Sequence, residues 1–169
     1  NLLQASGRAA EAIAAAERSL ALLAATDHRL IGLASLALGG AYRQTPDFER
    51  AVAALQRASQ AAQAAGDRVT YMLAVAHLTL MATQYGRLRL AAEAAAEALQ
   101  RLAQEQAAPP PIIGAVYGAL GLVHYEWNDV ELARAQHAGA VTIHPDQQAP
   151  EGGLGLRRID QVVARQAEP

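Results

Sequence analysis

Apolar residues along this chain return at helical spacing, and the polar breaks between apolar stretches are only a few residues long. Residues 8–25 carry Ile13, Leu20 and Leu23 on an alanine background and predict a helix ended at Thr26-Asp27. A second helix is predicted over 30–43. Thr45-Pro46 marks the next start, because proline is well placed in a first turn, and a helix over 47–65 follows, closed by Gly66. Asp67 caps a helix that reaches Tyr85, Gly86 ends it, and 87–106 is its partner. The prolines at 109–111 break the chain and restart it as a helix over about 111–127. Asn128, with Glu131 three residues later, has the form of a capping box opening a helix that reaches 141. Short turns make sequential helices antiparallel neighbours. The expected fold class is therefore all-α: a right-handed superhelical stack of antiparallel pairs, seven helices as three pairs and one unpaired first helix. Residues 142–154, rich in Pro, Gly and Gln, read as a linker, and a short C-terminal helix is predicted over 156–167.

The same pattern repeats at a longer period. Ala12, Ala51, Ala91 and Ala133 sit in similar frames of small, apolar and acidic residues, separated by 39, 40 and 42 positions. The fuller frames run from Leu38-Gly39 through Tyr42 to Pro46-Asp47-Phe48-Glu49-Arg50-Ala51. They return from Leu120-Gly121 through His124 to Asn128-Asp129-Val130-Glu131-Leu132-Ala133. Self-similarity at a period of 20–50 residues is the mark of a solenoid. The expected organisation is one repeat domain over 1–141, with a partial unit at 1–27 and units at about 28–66, 67–108 and 109–141, followed by 142–169.

Composition narrows the partners. The chain has 169 residues, 52% of them hydrophobic, and a net charge of −2; all 14 basic residues are arginine, interleaved with acidic residues. No broad basic face arises, so direct nucleic-acid contact by this segment is not expected. With no cysteine there is neither a disulfide nor a thiolate metal site, in keeping with a cytoplasmic protein. Residues 69–86 and 106–125 are free of charge. The first contains threonines, a histidine and a glutamine and the second three prolines, so both are expected to be buried by neighbouring helices, not by a membrane. The chain opens at Asn1 inside a repeat, which reads as a piece of something longer.

These frames resemble the tetratricopeptide repeat family, whose two helices cross closely because small residues occupy one site on the first and two on the second. The resemblance places those sites at Gly39/Ala51/Ala58, Thr79/Ala91/Ala98 and Gly121/Ala133/Ala140, with Ala12 and Ser19 in the partial unit. Helix axes approach to the short end of 8–10 Å only where no long side chain intervenes. Phe48, Leu88 and Val130 fill the apolar site just inside each second helix. A step of 39–42 exceeds the family's usual 34 or so. That length, with the wording from Tyr125 to Ala133 after the proline break, is similar to the helical sensor region of MalT-like, LuxR-family transcriptional regulators over about 8–141. In that family a nucleotide-binding ATPase module precedes the repeats and a helix-turn-helix module follows them, and the repeats bind an inducer or an inhibitory protein.

The resemblance implies a binding surface along the first helices, the concave side of the stack. Its inward positions are Leu33, Leu36, Gly40, Arg43 and Gln44, then Leu73, His77, Leu80, Thr83 and Gln84, then Gly118, Leu122, Tyr125 and Glu126. Leucines occupy one level, and hydrogen-bonding residues cluster near the turns. The expected partner is a protein, a peptide or a small-molecule inducer; recognition of chaperone tails is not expected, because the carboxylate clamp needs lysines and asparagines that are missing. The alternative is a tetratricopeptide scaffold or adaptor in an unrelated multidomain protein, with an enzyme's accessory domain as a third possibility.

The remaining chemistry is sparse. His124 and His137 fall on facing sides of one helix pair, where an earlier unit has Tyr42 and Leu55, and are expected to pack and hydrogen-bond in the core; two histidines are one ligand short of a metal site. Trp127 is expected to plug a junction between helices. Gly152-Gly153-Leu154-Gly155 follows no strand and lacks the Lys-Ser/Thr ending of a phosphate loop, so it reads as linker. No nucleophile, base and acid converge, and neither catalysis nor a cofactor is expected. Both ends cut across a stack that exposes apolar surface, which predicts self-association through an end face or a broad helical face.

Overall fold

The computed structural model describes residues 2–105 and 109–141, with side chains described for 7–105 and 109–138. The predicted linker and helix beyond 141, and the Ala140 side chain, lie outside these. The described residues form seven helices and no strand: α1 (Leu2–Leu22), α2 (His28–Tyr42), α3 (Phe48–Ala64), α4 (Arg68–Gln84), α5 (Leu88–Gln104), α6 (Ile113–Glu126) and α7 (Val130–Val141). The chain is an all-α repeat stack of tetratricopeptide type.

One turn recurs three times and explains most of the boundaries. After α3, α4 and α6 the chain turns through Gly66, Gly86 and Asn128, each with φ between 59 and 70°. In each the next amide, of Asp67, Arg87 or Asp129, donates back to the carbonyl of Ala62, Ala82 or His124 at 2.7–2.9 Å. This left-handed closure satisfies carbonyls that a helix end would otherwise leave unpaired. Asp67 then caps α4, accepting from the Thr70 amide at 3.0 Å. The capping box expected at Asn128 is corrected: Asn128 ends α6, taking the place of a glycine, and Asp129 caps α7 by accepting from the Leu132 amide at 3.1 Å. Asparagine tolerates the left-handed region better than other residues with a Cβ. Likewise Pro46 precedes the cap and does not open the helix, since Asp47 accepts from the Arg50 amide at 3.2 Å.

The small-residue sites hold the pairs together. Gly39, Ala51, Ala58, Thr79, Ala91, Ala98, Gly121 and Ala133 are all buried. A Cβ on Gly39 would lie 2.6 Å from the Leu55 side chain, and one on Gly121 3.4 Å from the Ala133 carbonyl. The Thr79 hydroxyl lies 3.5 Å from the Ala91 carbonyl, so in the second pair backbone approaches side chain with nothing between.

The partial unit departs from its predicted register. Ala12 and Ser19 on α1 are exposed, and Ala9 and Ala16, three residues earlier, are the buried pair. In the later units the small sites face the preceding helix of the same pair. Among the described residues α1 has a neighbour on one side only, α2, so its buried stripe is the one that faces α2.

Consecutive first helices touch, α2 against α4 and α4 against α6, whereas α3, α5 and α7 share no comparable contact with one another. A stack drawn together along its first helices and splayed along its second is concave on the first-helix side. The charge-free stretch of α4 is explained by its place: it packs against α2, α3, α5 and α6, and ten of its residues are buried. No helix among the described residues is long and apolar enough to cross a membrane.

Candidate functional site

The face of α2, α4 and α6 that points away from the second helices carries the positions expected to bind. Along α2 it exposes Leu33, and just past the helix end Arg43 and Gln44 are open to solvent. On α4, Leu73, His77, Leu80 and Thr83 are half-buried and Gln84 is exposed. On α6, Gly118 is half-buried, while Leu122, Tyr125 and Glu126 are exposed. The face is thus half-covered at α4, which has a first helix on either side, and opens toward α2 and α6.

Two of these groups are coupled across helices. Burial holds the His77 imidazole below the usual histidine range, and the Arg43 guanidinium pushes it the same way, which places the two side chains within electrostatic reach. His77 is therefore neutral at neutral pH, and its buried Nδ1 finds no hydrogen-bond partner among the described residues. Thr83 is less available than its sequence position suggests, since its hydroxyl donates to the Thr79 carbonyl of its own helix at 2.8 Å.

Leu122 and Tyr125 fall into a different grouping from Thr83 and Gln84. With Gly121, Val130, Ala133, Arg134 and His137 they line an open, almost wholly apolar groove of about 510 Å³ between α6 and α7. First-helix positions alone do not reveal this grouping, because the groove draws on both helices of a pair. The signal available was the repeat step: Val130 holds the place of Phe48, whose ring lies 4.7 Å from that of Tyr85.

The expected histidine pair separates. His124 is fully buried and His137 exposed. The His124 ring meets Trp127 edge-on at 5.8 Å, and neither of its nitrogens finds a hydrogen-bond partner among the described residues, which corrects the expectation of a hydrogen-bonded core pair. Trp127, at the turn after α6, packs against the apolar cluster of α4, α5 and α6, as expected of a plug between helices. Among the described residues no three His, Asp or Glu side chains gather in a way that suits a metal ion.

His124 sets a pH dependence. Burial lowers its proton affinity, only partly opposed by Asp129, and burial lowers that of His77 too. The unfolded chain therefore binds more protons than the folded one below about pH 6.5. Stability is complete above that value and falls as the pH drops through it. Replacing His124 with leucine is expected to raise stability by about 1–2 kcal/mol at pH 7, by removing a buried polar ring without partners. It should also flatten the loss between pH 7 and pH 5, as read from thermal melts at both; an unchanged pH profile would assign the acid sensitivity elsewhere.

The sequence profile of the family described as MalT-like TPR region matches residues 2–148. No curated protein and no solved structure matches the chain.

Proposed function

We propose a function from one premise: the chain belongs to the MalT-like TPR family. In that setting it is a non-catalytic binding module, the ligand- or protein-sensing segment of a bacterial LuxR-type transcriptional regulator acting in the cytoplasm. The observation that supports this most directly is the first-helix face, which stays partly open along the stack and carries polar groups near its turns at Arg43, Gln44, Gln84 and Glu126. A peptide, a protein surface or a small polar inducer seated there bridges adjacent units. A ligand of this kind shifts the angle between units, because it touches neighbouring units at once and favours the arrangement that fits it best. The proposed output is a change in the contacts of the repeats with an ATPase module in the full polypeptide, with DNA contact left to a helix-turn-helix module.

The test is an inducible reporter driven by the full polypeptide carrying Arg43→Ala together with Gln84→Ala. Both side chains are exposed, so the melting temperature should not move. The inducer concentration for half-maximal response should rise about tenfold or more, the equivalent of one good contact. A normal response with the double variant would favour the scaffold alternative, in which partners assemble on other faces.

A further inference from the structure

The first-helix face, taken as the sensing surface, carries a cationic spot that the chain itself does not neutralise. Arg29, Arg50, Arg68, Arg89 and Arg101 each reach a carboxylate. Arg43 is exposed and reaches none among the described residues. Its charge acts on His77 across α2 and α4, and no carboxylate among the described residues opposes it there; Glu126, at the end of α6, does not act on this ring.

The imidazole adds a directed donor. Its Nδ1 is buried and has no hydrogen-bond partner among the described residues, which leaves Nε2 to the open side. A neutral ring carries one N–H. Burying that proton without an acceptor, within reach of a guanidinium, costs more than burying a lone pair there, so the proton sits on Nε2 and points outward. Space lies alongside. A Cβ added to Gly40, one turn before Arg43, would meet nothing within 4 Å.

Around this spot the face is apolar. Leu33 on α2 is 45% exposed, and Leu73 and Leu80, one turn to either side of His77, are half-buried. The Thr83 hydroxyl is already taken by its own helix. An extended peptide brings an N–H and a C=O with every residue, and leucines offer neither a partner. A compact organic acid with an apolar body asks only for what the face offers.

We infer that this face binds a small amphipathic organic anion, whose carboxylate or phosphate accepts from the Arg43 guanidinium and the His77 Nε2–H while its apolar body lies on Leu73 and Leu80. The inference rests on the reading of the first-helix face as the sensing surface, and names the class of ligand that surface takes.

Calorimetric titration of the intact 169-residue chain tests it with four probes: hexanoate, hexyl phosphate, hexanol and inorganic phosphate. At least one of the two alkyl anions should bind about tenfold or more tighter than hexanol, which lacks the charge, and than inorganic phosphate, which lacks the apolar body. Arg43→Gln and His77→Phe should each weaken that binding about tenfold without lowering the melting temperature, since one side chain is exposed and the other loses an orphaned nitrogen. Arg134→Gln, an exposed cation on α7, should leave it unchanged. Equal affinity for hexanol and the alkyl anions, or equal losses from Arg43→Gln and Arg134→Gln, would overturn the inference. So would a failure of both alkyl anions to bind; if Arg43→Ala with Gln84→Ala still blunts the reporter, the sensing surface then stands with a ligand of other chemistry. Binding that behaves as expected beside a normal reporter response would keep the anion site and remove the sensing role.

Discussion

Ala91→Leu is expected to lower the stability of the chain by about 3 kcal/mol, the upper end of what overpacking costs, while Ala12→Leu changes it by less than about 0.5 kcal/mol. The two alanines occupy matching places in the repeat, so the sequence alone assigns them the same effect. Ala91 is fully buried, its carbonyl is 3.5 Å from the Thr79 hydroxyl, and Ala92, Ala95 and Ala98 beside it are fully buried as well. A leucine there finds no space between α4 and α5 and must push the two helices apart, which also strains the packing of α6 on both. Ala12 is on the open side of α1, where a leucine projects into solvent. Ala9→Leu completes the comparison, because Ala9 is the buried residue and should behave like Ala91. Urea denaturation followed by circular dichroism gives the three values at constant slope. A large loss for Ala12→Leu with a small one for Ala9→Leu would restore the register predicted from the repeat.

This contrast shows which part of the architecture was legible. The small-residue sites were readable because close helix approach excludes all but a few residue types, so the constraint returns at a fixed step and leaves a trace at Gly39, Thr79, Gly121 and their partners. The register of α1 was not readable, because which stripe of an alanine-rich helix is buried depends on the neighbours it has, and Ala9, Ala12 and Ala16 are chemically the same. The turn at Asn128 was misassigned for a related reason: asparagine serves both as a helix cap and as a left-handed helix end, and only the backbone, with φ of 59°, decides. The charge-free stretch of α4 was legible as a helix buried by neighbours, since apolar positions around most of a helix mean contact around most of it. The site was less legible. Polarity marks Arg43, Gln44, Gln84 and Glu126 as exposed, and they are, but the withdrawal of the Thr83 hydroxyl into its own helix and the coupling of His77 to Arg43 depend on rotamers and spacing between helices.

The other large effect is expected at Leu120. The cluster that joins the second unit to α6 holds the short side chains of Ala92 and Ala95 beside Met72, Val75, Leu99 and Leu102, and α6 contributes Val116, Leu120 and Val123 to it. Leu120 is fully buried, and removing most of it leaves a cavity lined in part by side chains too short to relax into it. Leu120→Ala is therefore expected to cost about 3–5 kcal/mol, whereas Leu122→Ala, two residues on and 40% exposed, costs about 1 kcal/mol or less. The loss should also be uneven along the chain. In a stack each pair depends on its neighbours alone, so weakening the junction of α6 with α4 and α5 frees the last pair before it disturbs the first. Amide hydrogen exchange is expected to quicken throughout α6 and α7 while α2 and α3 keep their protection. Exchange that rises equally in all seven helices would mean the units open as one, and a ligand on the first-helix face would then act on the whole stack together instead of on the angle between neighbouring pairs.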